Sequence, residues 1–205
     1  MENFIYAFLG LLISSMLFYK LWFLRNPKIQ IPSGRNIISP AQGKISSITE
    51  ITPNKIAEIQ KGKNRIKVWL DDTIKDSGWL ISIVMTPLDV HFQKAPIAGT
   101  IKMVKWTKGK HRNALSKKID INTYAENEHQ EFIIEGDLKL KIIQIAGMVA
   151  RRTVSLVREM QQVEKGQDLG LIRLGSQVTL IIPKLELKIK KGDKVFAGRT
   201  IIANY

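Results

Sequence analysis

The Gly175-Ser176 pair is the most informative place in the chain for covalent chemistry, because a serine hydroxyl there follows directly on a glycine. The pair lies between two β-like runs, where a glycine lets the backbone bend sharply and approach other groups closely. Glycine and serine are also common turn residues, so the pair alone predicts a turn or a bulge. Its chemical meaning depends on the residues that accompany it.

Proton transfer near neutral pH is the chemistry of histidine, and the chain has three: His91, His111 and His129. His91 follows an apolar, strand-like run, where a lone histidine is more often structural than catalytic. His111 and His129 lie in polar stretches and are predicted to be surface residues. The three are too dispersed to predict a metal site. The chain has no cysteine, which excludes a disulfide framework, a thiolate nucleophile and a zinc–thiolate site.

The composition is that of a folded protein with a strongly basic surface. The chain has 205 residues, of which 44% are hydrophobic and 24% charged, enough for one domain or one domain with an appendage. Its 32 basic and 18 acidic residues give a net charge of +14, which attracts the phosphates of nucleic acid or of lipid. Basic strands interleaved with aromatic residues and a basic recognition helix are not evident, so we predict no nucleic-acid partner.

An apolar segment at the N-terminus favours lipid as the polyanion. Residues 4–24 carry Lys20 as their only charge and would extend about 31 Å as a helix, against about 30 Å for a bilayer core. A cleaved signal peptide would carry its basic residues before the apolar run, whereas Lys20, Arg25 and Lys28 lie within or after it. We therefore predict a membrane helix over residues 1–26, with the following domain in the cytoplasm. Whether this helix spans the bilayer or lies on it stays open.

The remainder of the chain is predicted to be a short linker and one mainly β domain. Pro27, Pro32 and Ser33-Gly34 end the helix and define a linker over residues 27–36, and residues 37–205 follow without a low-complexity run. Short β-branched runs alternate with turn signals through this domain. The predicted strands are Lys44–Ile51, Arg65–Leu70, Trp79–Met85, Phe132–Ile134, Lys139–Ile145, Thr153–Val157, Val178–Ile182 and Lys194–Ala203.

Two weak internal repeats refine the fold class. Residues 40–45 and 96–101 share the pattern Pro-x-x-Gly-x-Ile, and residues 163–167 and 189–193 share a Lys-Gly turn before an apolar strand. Short strands joined in this way are similar to the barrel-sandwich class of lipoyl and biotinyl domains. Ordinary hairpin turns are the alternative explanation.

Five short motifs, in order, resemble the phosphatidylserine decarboxylase proenzyme family, in its short archaeal-like form. The likeness runs from about Leu24 to Pro183, and its motifs together are far more specific than any one of them. They are residues 23–27 with Ile31-Pro32, residues 39–44, residues 87–91 with Ala95-Pro96 and Gly99, residues 144–147 with 150–152, and residues 170–176.

This resemblance implies a self-processing enzyme. Ser176 Oγ would attack the carbonyl carbon of Gly175 and convert the peptide bond into an ester. β-Elimination would then release the upstream chain and leave dehydroalanine, which hydrolyses to a pyruvoyl group and ammonia. The two chains are expected to remain associated. The pyruvoyl group at position 176 would form a Schiff base with the substrate amine and take up electrons as CO₂ leaves, so neither pyridoxal phosphate nor a metal is expected.

The family resemblance also assigns roles to residues around Ser176. His91 is the expected base, since it lies in the Asp-Val-His…Ala-Pro motif. Longer relatives carry a second histidine where this chain has Lys94, which we expect to bind the lipid phosphate or carboxylate. Relatives usually have an aspartate where this chain has Gln42; the glutamine oxygen can accept a ring N–H but supplies no full charge. Asp89 is the candidate to replace that carboxylate.

Several basic residues are candidates for binding the substrate or the membrane. Of the consecutive Arg151 and Arg152, one is expected to face inward and contact the phosphate or carboxylate of the substrate. Arg173 is a weaker candidate of the same kind. The basic tail over residues 184–199 is either a solvated face or a contact with an anionic membrane surface.

The substrate implied by the resemblance is a phospholipid with a serine headgroup, either phosphatidylserine or archaetidylserine. The sequence is compatible with two other functions. A membrane-anchored adaptor would need neither the Gly-Ser cleavage point nor the histidine, and a Ser-Lys protease would use Ser176 and a buried lysine. The sequence is also compatible with a homo-oligomer and does not determine the oligomeric state.

Overall fold

The computed structural model describes residues 2–52, 56–61, 64–69, 73, 76–108, 128–146, 152–173 and 176–205. Gly175, Arg151 and His111 lie outside these ranges, and for Ser176 only the backbone is described.

A single apolar helix begins the chain, as predicted. Helix α1 covers Glu2–Leu17 and continues as a π-helical segment over Phe18–Phe23. Its residues Asn3–Phe23 are long and apolar enough to cross a membrane. The large apolar side chains along the helix are exposed, but Phe23 at its end is fully buried. The helix is therefore free to contact lipid along its length and is packed on the domain only at its end.

The rest of the described chain is mainly β, which confirms the predicted class. Fifteen strands lie in the described ranges: β1 Asn36–Ile38, β2 Gly43–Ile51, β3 Ile56–Lys61, β4 Asn64–Trp69, β5 Gly78–Met85, β6 Phe92–Lys94, β7 Gly99–Thr107, β8 His129–Glu135, β9 Lys139–Ala146, β10 Arg152–Ser155, β11 Gln162–Val163, β12 Asp168–Arg173, β13 Ser176–Pro183, β14 Lys194–Val195 and β15 Ile201–Asn204. The barrel-sandwich arrangement stays a prediction.

One large antiparallel sheet organises the domain. Its strand order is β11-β7-β8-β9-β13-β5-β2-β14, while β10-β12-β6, β1-β15 and β3-β4 form smaller sheets. Strand β13 lies inside the large sheet and pairs with β9 on one side and β5 on the other. This strand is buried on both faces: Val178, Leu180 and Ile182 belong to the main core and Ile181 to a second apolar cluster. Two-sided burial explains its nearly continuous apolar sequence.

The strand prediction was wrong near the C-terminus and incomplete elsewhere. Residues 194–203 form two short strands rather than one, since β14 pairs with β2 and β15 pairs with β1. The chain turns between them at Gly198, whose φ of +71° is a conformation that favours glycine. Six of the described strands were not predicted. Strands β1, β6 and β11 are only two or three residues long, and strands β3, β7 and β12 interrupt their apolar pattern with polar residues or glycine.

The segment predicted as a linker lies against the domain. Its Ile31 side chain occupies the space next to Gly166, and its Ile29 side chain occupies the space next to Gly198. Just before it, the Asn26 amide donates a hydrogen bond to Asp168 Oδ2 at 2.7 Å. The chain is thus held on the domain surface as it leaves the helix.

Candidate active site

The backbone of Ser176 and the loop that carries His91 lie at one end of the large sheet. At the start of β13, Ser176 pairs in register with Met85, the last residue of β5. Residues 86–90 then lead from β5 to His91, whose carbonyl oxygen accepts a hydrogen bond from the Ile172 N–H of β12 at 3.2 Å. The backbone of Ser176 and the loop that carries His91 therefore lie at the same end of β5 and β13.

His91 is fully buried, and its two ring nitrogens have different surroundings. Its Nδ1 lies 2.8 Å from the carbonyl oxygen of Asp89. A carbonyl oxygen only accepts hydrogen bonds, so the neutral ring carries its proton on Nδ1 and a lone pair on Nε2. Nε2 is buried and has no hydrogen-bond partner within the described part of the chain. A buried, unpartnered acceptor of this kind is what a general base requires before its proton donor is in place.

Burial also fixes the protonation state of His91. Removal of the ring from water lowers the pKa of His91 to about 4, although the hydrogen bond to the Asp89 carbonyl and the Asp89 charge both raise it. The Arg25 charge lowers it further. The imidazole is therefore neutral at pH 7, the state in which it can accept a proton.

The lowered pKa of His91 predicts a pH-dependent stability. The folded state favours the neutral ring, so the free energy of unfolding should be constant above about pH 6.5 and should decrease by about 3 kcal/mol as the pH falls to 4. Denaturant unfolding of uncleaved Ser176→Ala protein between pH 4 and 8 measures this change. In the same background, His91→Gln should remove most of the decrease. An unchanged pH dependence would show that other groups cause it.

The Asp89 carboxylate stabilises the loop that carries His91, and Gln42 donates a hydrogen bond to this carboxylate. The Asp89 Oδ2 atom accepts hydrogen bonds from the Thr86 N–H and hydroxyl, both at 2.8 Å, while Oδ1 accepts one from Gln42 Nε2 at 3.1 Å. The arrangement differs from the expected one, in which the Gln42 oxygen would accept the ring N–H. The Asp89 main-chain carbonyl, rather than a carboxylate, occupies that position. Gln42 and the Asp89 side chain thus position the carbonyl that selects the His91 tautomer.

Lys94 is buried and already ion-paired. Its Nζ lies 2.6 Å from Asp168 Oδ1 and donates a second hydrogen bond to Asn26 Oδ1 at 3.0 Å. An anionic group of a substrate would have to compete with Asp168 for this charge. The role of Lys94 in binding lipid therefore stays a prediction, while its role in attaching residue 26 to the domain is evident in the structure.

The Lys94–Asp168 pair should contribute measurably to stability. Asp168→Asn leaves the buried Lys94 cation with neutral partners, and we expect a loss of about 1–2 kcal/mol in the free energy of unfolding, since Asp168 itself is partly exposed. The exposed pair of Lys188 with Glu186 offers a matched control, and Glu186→Gln should have no measurable effect. Equal effects of the two substitutions in denaturant unfolding would contradict this assignment.

Arg152 and Arg173 lie on the surface of the smaller sheet. They are direct neighbours across β10 and β12, and both side chains are exposed. Arg152 thus faces outward, while Arg151 lies outside the described residues, so the prediction that one of the two faces inward stays a prediction. Two like charges in register form a positive patch at the strand end that leads to residue 176.

His129 is buried, so its prediction as a surface residue was wrong. It lies in β8 rather than in a loop, and its Nε2 lies 3.6 Å from Glu131 Oε1. Lys141 Nζ contacts the other oxygen of Glu131 at 2.7 Å. Burial raises the pKa of Glu131, but the hydrogen bonds from His129 and Lys141 outweigh it, so that the pKa lies below its ordinary value. The local sequence, rich in polar residues, gives no signal for this buried cluster.

Two glutamines near His91 were not assigned a role from the sequence. Gln93 Nε2 donates to the His91 carbonyl at 2.8 Å, and Gln144 Nε2 donates to Gln93 Oε1 at 2.6 Å. Both residues are fully buried. They support the main chain of His91 from the side of β9. Gln144 belongs to the family motif over residues 144–147, which is the signal that the sequence offers.

A small pocket opens beside this site, between the segment after the helix and the turn before β15. Gln42 and Val90 line it on the side of the His91 loop, and Lys94 lies at its wall. Phe196 and Arg199 contribute from the turn; the remaining lining residues are Asn26, Pro27, Ile29 and Ala197. Among the described residues, no group of three or more His, Cys, Asp or Glu side chains is placed to hold a metal ion.

Comparisons with known proteins identify the family of this chain. The sequence profile described as phosphatidylserine decarboxylase matches residues 18–203. The chain is 35% identical over 199 residues to the "Putative archaetidylserine decarboxylase proenzyme" of Methanocaldococcus jannaschii, covering 96% of this chain and 94% of that protein. It is 37% identical over 187 residues to the "Phosphatidylserine decarboxylase proenzyme" of Wolbachia pipientis wMel, covering 89% and 74%. These matches confirm the resemblance seen in the motifs: the chain belongs to the phosphatidylserine decarboxylase family.

Proposed function

We propose that the chain is a self-processing decarboxylase of a serine-headgroup phospholipid, phosphatidylserine or archaetidylserine. The observation that carries this proposal is the buried, neutral His91, whose Nε2 has no partner among the described residues, at the end of the sheet where β13 begins with Ser176. The names of the relatives, which include both phosphatidylserine and archaetidylserine decarboxylase proenzymes, support the activity.

In the self-cleavage step, His91 Nε2 accepts the proton of the Ser176 hydroxyl as its oxygen attacks the Gly175 carbonyl carbon. The C–N bond breaks, the proton passes to the released amine, and an ester joins the two residues. Removal of the Ser176 Cα proton then expels the Gly175 carboxylate and leaves dehydroalanine. Water converts this group to a pyruvoyl cap and ammonia, so no oxidant is needed.

The residues at this place fit a pyruvoyl group at position 176. The group supplies a ketone that condenses with the substrate amine and takes up the electrons released as CO₂ leaves. The buried Nε2 of His91 is a neutral acceptor, which would hold and return a proton at the reacting carbon. Beside it, Gln93 donates to the His91 carbonyl and Gln144 donates to Gln93, which holds the main chain of His91 in place.

The pairing of β13 explains why the two chains would remain associated after cleavage. Residues 176–183 pair with β5 and residues 176–181 with β9, and the apolar side chains Val178, Leu180 and Ile182 are fully buried. Burying each such side chain stabilises the pairing by about 1.5–3 kcal/mol, and this burial opposes separation of the fragment after the peptide bond is broken. The cleaved fragment is thus an interior strand rather than a detachable tail.

The pocket beside the site offers a place for the lipid headgroup. Arg199 provides an exposed cation at its rim, and the Lys94 cation, which is paired with Asp168, lies at its wall. The pocket lies next to the segment that leaves the apolar helix, so a headgroup could reach it from a bilayer that holds this helix. We place the helix in the cell membrane and the domain on its cytoplasmic side, with the basic residues that follow the helix on that side.

Intact mass spectrometry of the purified protein tests this function together with a CO₂-release assay. We expect two chains that separate after residue 175, the smaller one blocked to Edman degradation and reactive to carbonyl reagents. Vesicles of phosphatidylserine and of archaetidylserine should distinguish the two substrates. An unbroken chain without decarboxylation would overturn the proposal and would favour the adaptor or the protease.

A further inference from the structure

The last residue of the apolar helix packs directly on His91. The ring centroids of Phe23 and His91 lie 3.9 Å apart, with 31° between the ring planes. Phe23 has no exposed surface, while its neighbours Leu21 and Trp22 are 73% and 48% exposed. Tyr19 also stacks with Phe23, with 5.5 Å between the ring centroids and 12° between the ring planes. The helix therefore places one side chain, and only at its end, against the candidate base.

Hydrogen bonds hold this end of the helix on the His91 loop. The Arg25 guanidinium donates to the carbonyl oxygens of Trp22 at 2.8 Å and of Leu88 at 2.5 Å, and it lies 4.4 Å from the Trp22 ring centroid. Leu88 directly precedes Asp89, whose carbonyl holds His91 Nδ1. The π-helical segment ends with a hydrogen bond from the Leu24 N–H to the carbonyl of Tyr19, five residues earlier. This spacing is one residue wider than in an α-helix, and Phe23 lies inside the turn that it closes.

We propose that Phe23 is a positioning residue of the active site, which closes one face of the His91 imidazole to water and fixes the plane of its ring. This inference rests on the proposed function, since it assigns Phe23 its effect through His91. The apolar helix then does more than attach the protein to a membrane: its last residue completes the surroundings of the base. Loss of the helix end should change the chemistry at His91 even when the protein stays soluble in detergent.

The physical reason is that Phe23 contributes to the desolvation that keeps His91 neutral. Within the described residues, two charged groups act on the pKa of the ring. Asp89 acts from the loop of His91 itself, and Arg25 acts from the helix end. From β12, Asp168 gives its carboxylate to Lys94 and Asn26, and Arg173 is exposed. With Phe23 shortened to alanine, water reaches the imidazole and its pKa should rise from about 4 toward its ordinary value of about 6.5.

The test measures the rate of self-cleavage against pH. Parent, Phe23→Ala, Phe23→Leu and Leu21→Ala chains are made by cell-free synthesis in detergent, and the cleaved fraction is followed by gel between pH 5 and 8. The parent rate should be independent of pH over this range. Phe23→Ala should cleave about tenfold more slowly at pH 7 and should lose further rate below about pH 6, where His91 becomes protonated. Phe23→Leu keeps much of the apolar cover and should show a smaller change.

Leu21→Ala removes a similar apolar side chain from the same helical turn but leaves His91 covered, so it should behave as the parent. A parent-like, pH-independent rate in Phe23→Ala would overturn the proposal. So would a slower rate with no new dependence on pH, which would indicate a purely structural role. If the parent chain itself does not cleave, the proposed function fails first, which separates the two failures. Should Phe23→Ala not fold, the pH profile of Phe23→Leu decides the matter.

Discussion

Ser176→Ala is expected to yield an unbroken chain of 23.3 kDa with no decarboxylase activity. Alanine has no hydroxyl to attack the Gly175 carbonyl, so no ester forms and no pyruvoyl group can arise at position 176. The two losses must occur together, because the cleavage step generates the group on which turnover depends. The fold should be retained, since β13 is held by its backbone pairing with β5 and β9 and by its buried apolar side chains. Intact mass and CO₂ release measure the two losses on one sample.

Two further substitutions make this result specific. Ser176→Thr keeps a hydroxyl at the same atom and should still cleave, more slowly, leaving a keto group that is one carbon larger. Ser46→Ala removes a hydroxyl that donates to the Ser82 carbonyl in a neighbouring strand, and it should cleave and turn over as the parent does. Full activity in an uncleaved Ser176→Ala chain would refute both the cleavage and the proposed function.

The sequence was sufficient for features that local pattern or short motifs encode. The apolar run over residues 4–24 predicted the helix, since length and hydropathy alone distinguish such a segment. The run behind Ser176 predicted β13, because a strand buried on both faces needs continuous apolar residues. The order of the motifs predicted the family, which the profile match over residues 18–203 confirms.

Contacts between distant parts of the chain could not be predicted in this way. Nothing in the residues around His91 shows that Phe23, 68 positions earlier, covers its ring, or that the carbonyl of Asp89 rather than the side chain of Gln42 holds Nδ1. The pairing of Lys94 with Asp168 likewise joins residues that become neighbours only when β6 and β12 pair. His129 illustrates the same limit: a polar stretch read as a loop is a strand whose charges are neutralised inside the fold.

His91→Ala is expected to slow self-cleavage by about 10²–10⁴-fold, the usual contribution of a general base. The reason lies in the environment of Nε2: it is buried and has no hydrogen-bond partner within the described residues, so its lone pair is available to accept the Ser176 proton. His129→Gln is the matched control, since it alters a second buried histidine that lies in the Glu131–Lys141 cluster. This control should cleave as the parent does, even if its stability decreases.

Addition of imidazole separates loss of the base from loss of the fold. The alanine leaves space beneath Phe23 for a small ring, and free imidazole in that space should restore part of the cleavage of His91→Ala. Only neutral imidazole accepts a proton, so the restored rate should rise between pH 6 and 8, whereas the parent rate stays constant because burial keeps the pKa of its own imidazole at about 4. Cleavage of His91→Ala near the parent rate without imidazole would remove His91 from the mechanism. Restoration that ignores pH would show that imidazole acts by filling space rather than by accepting the proton.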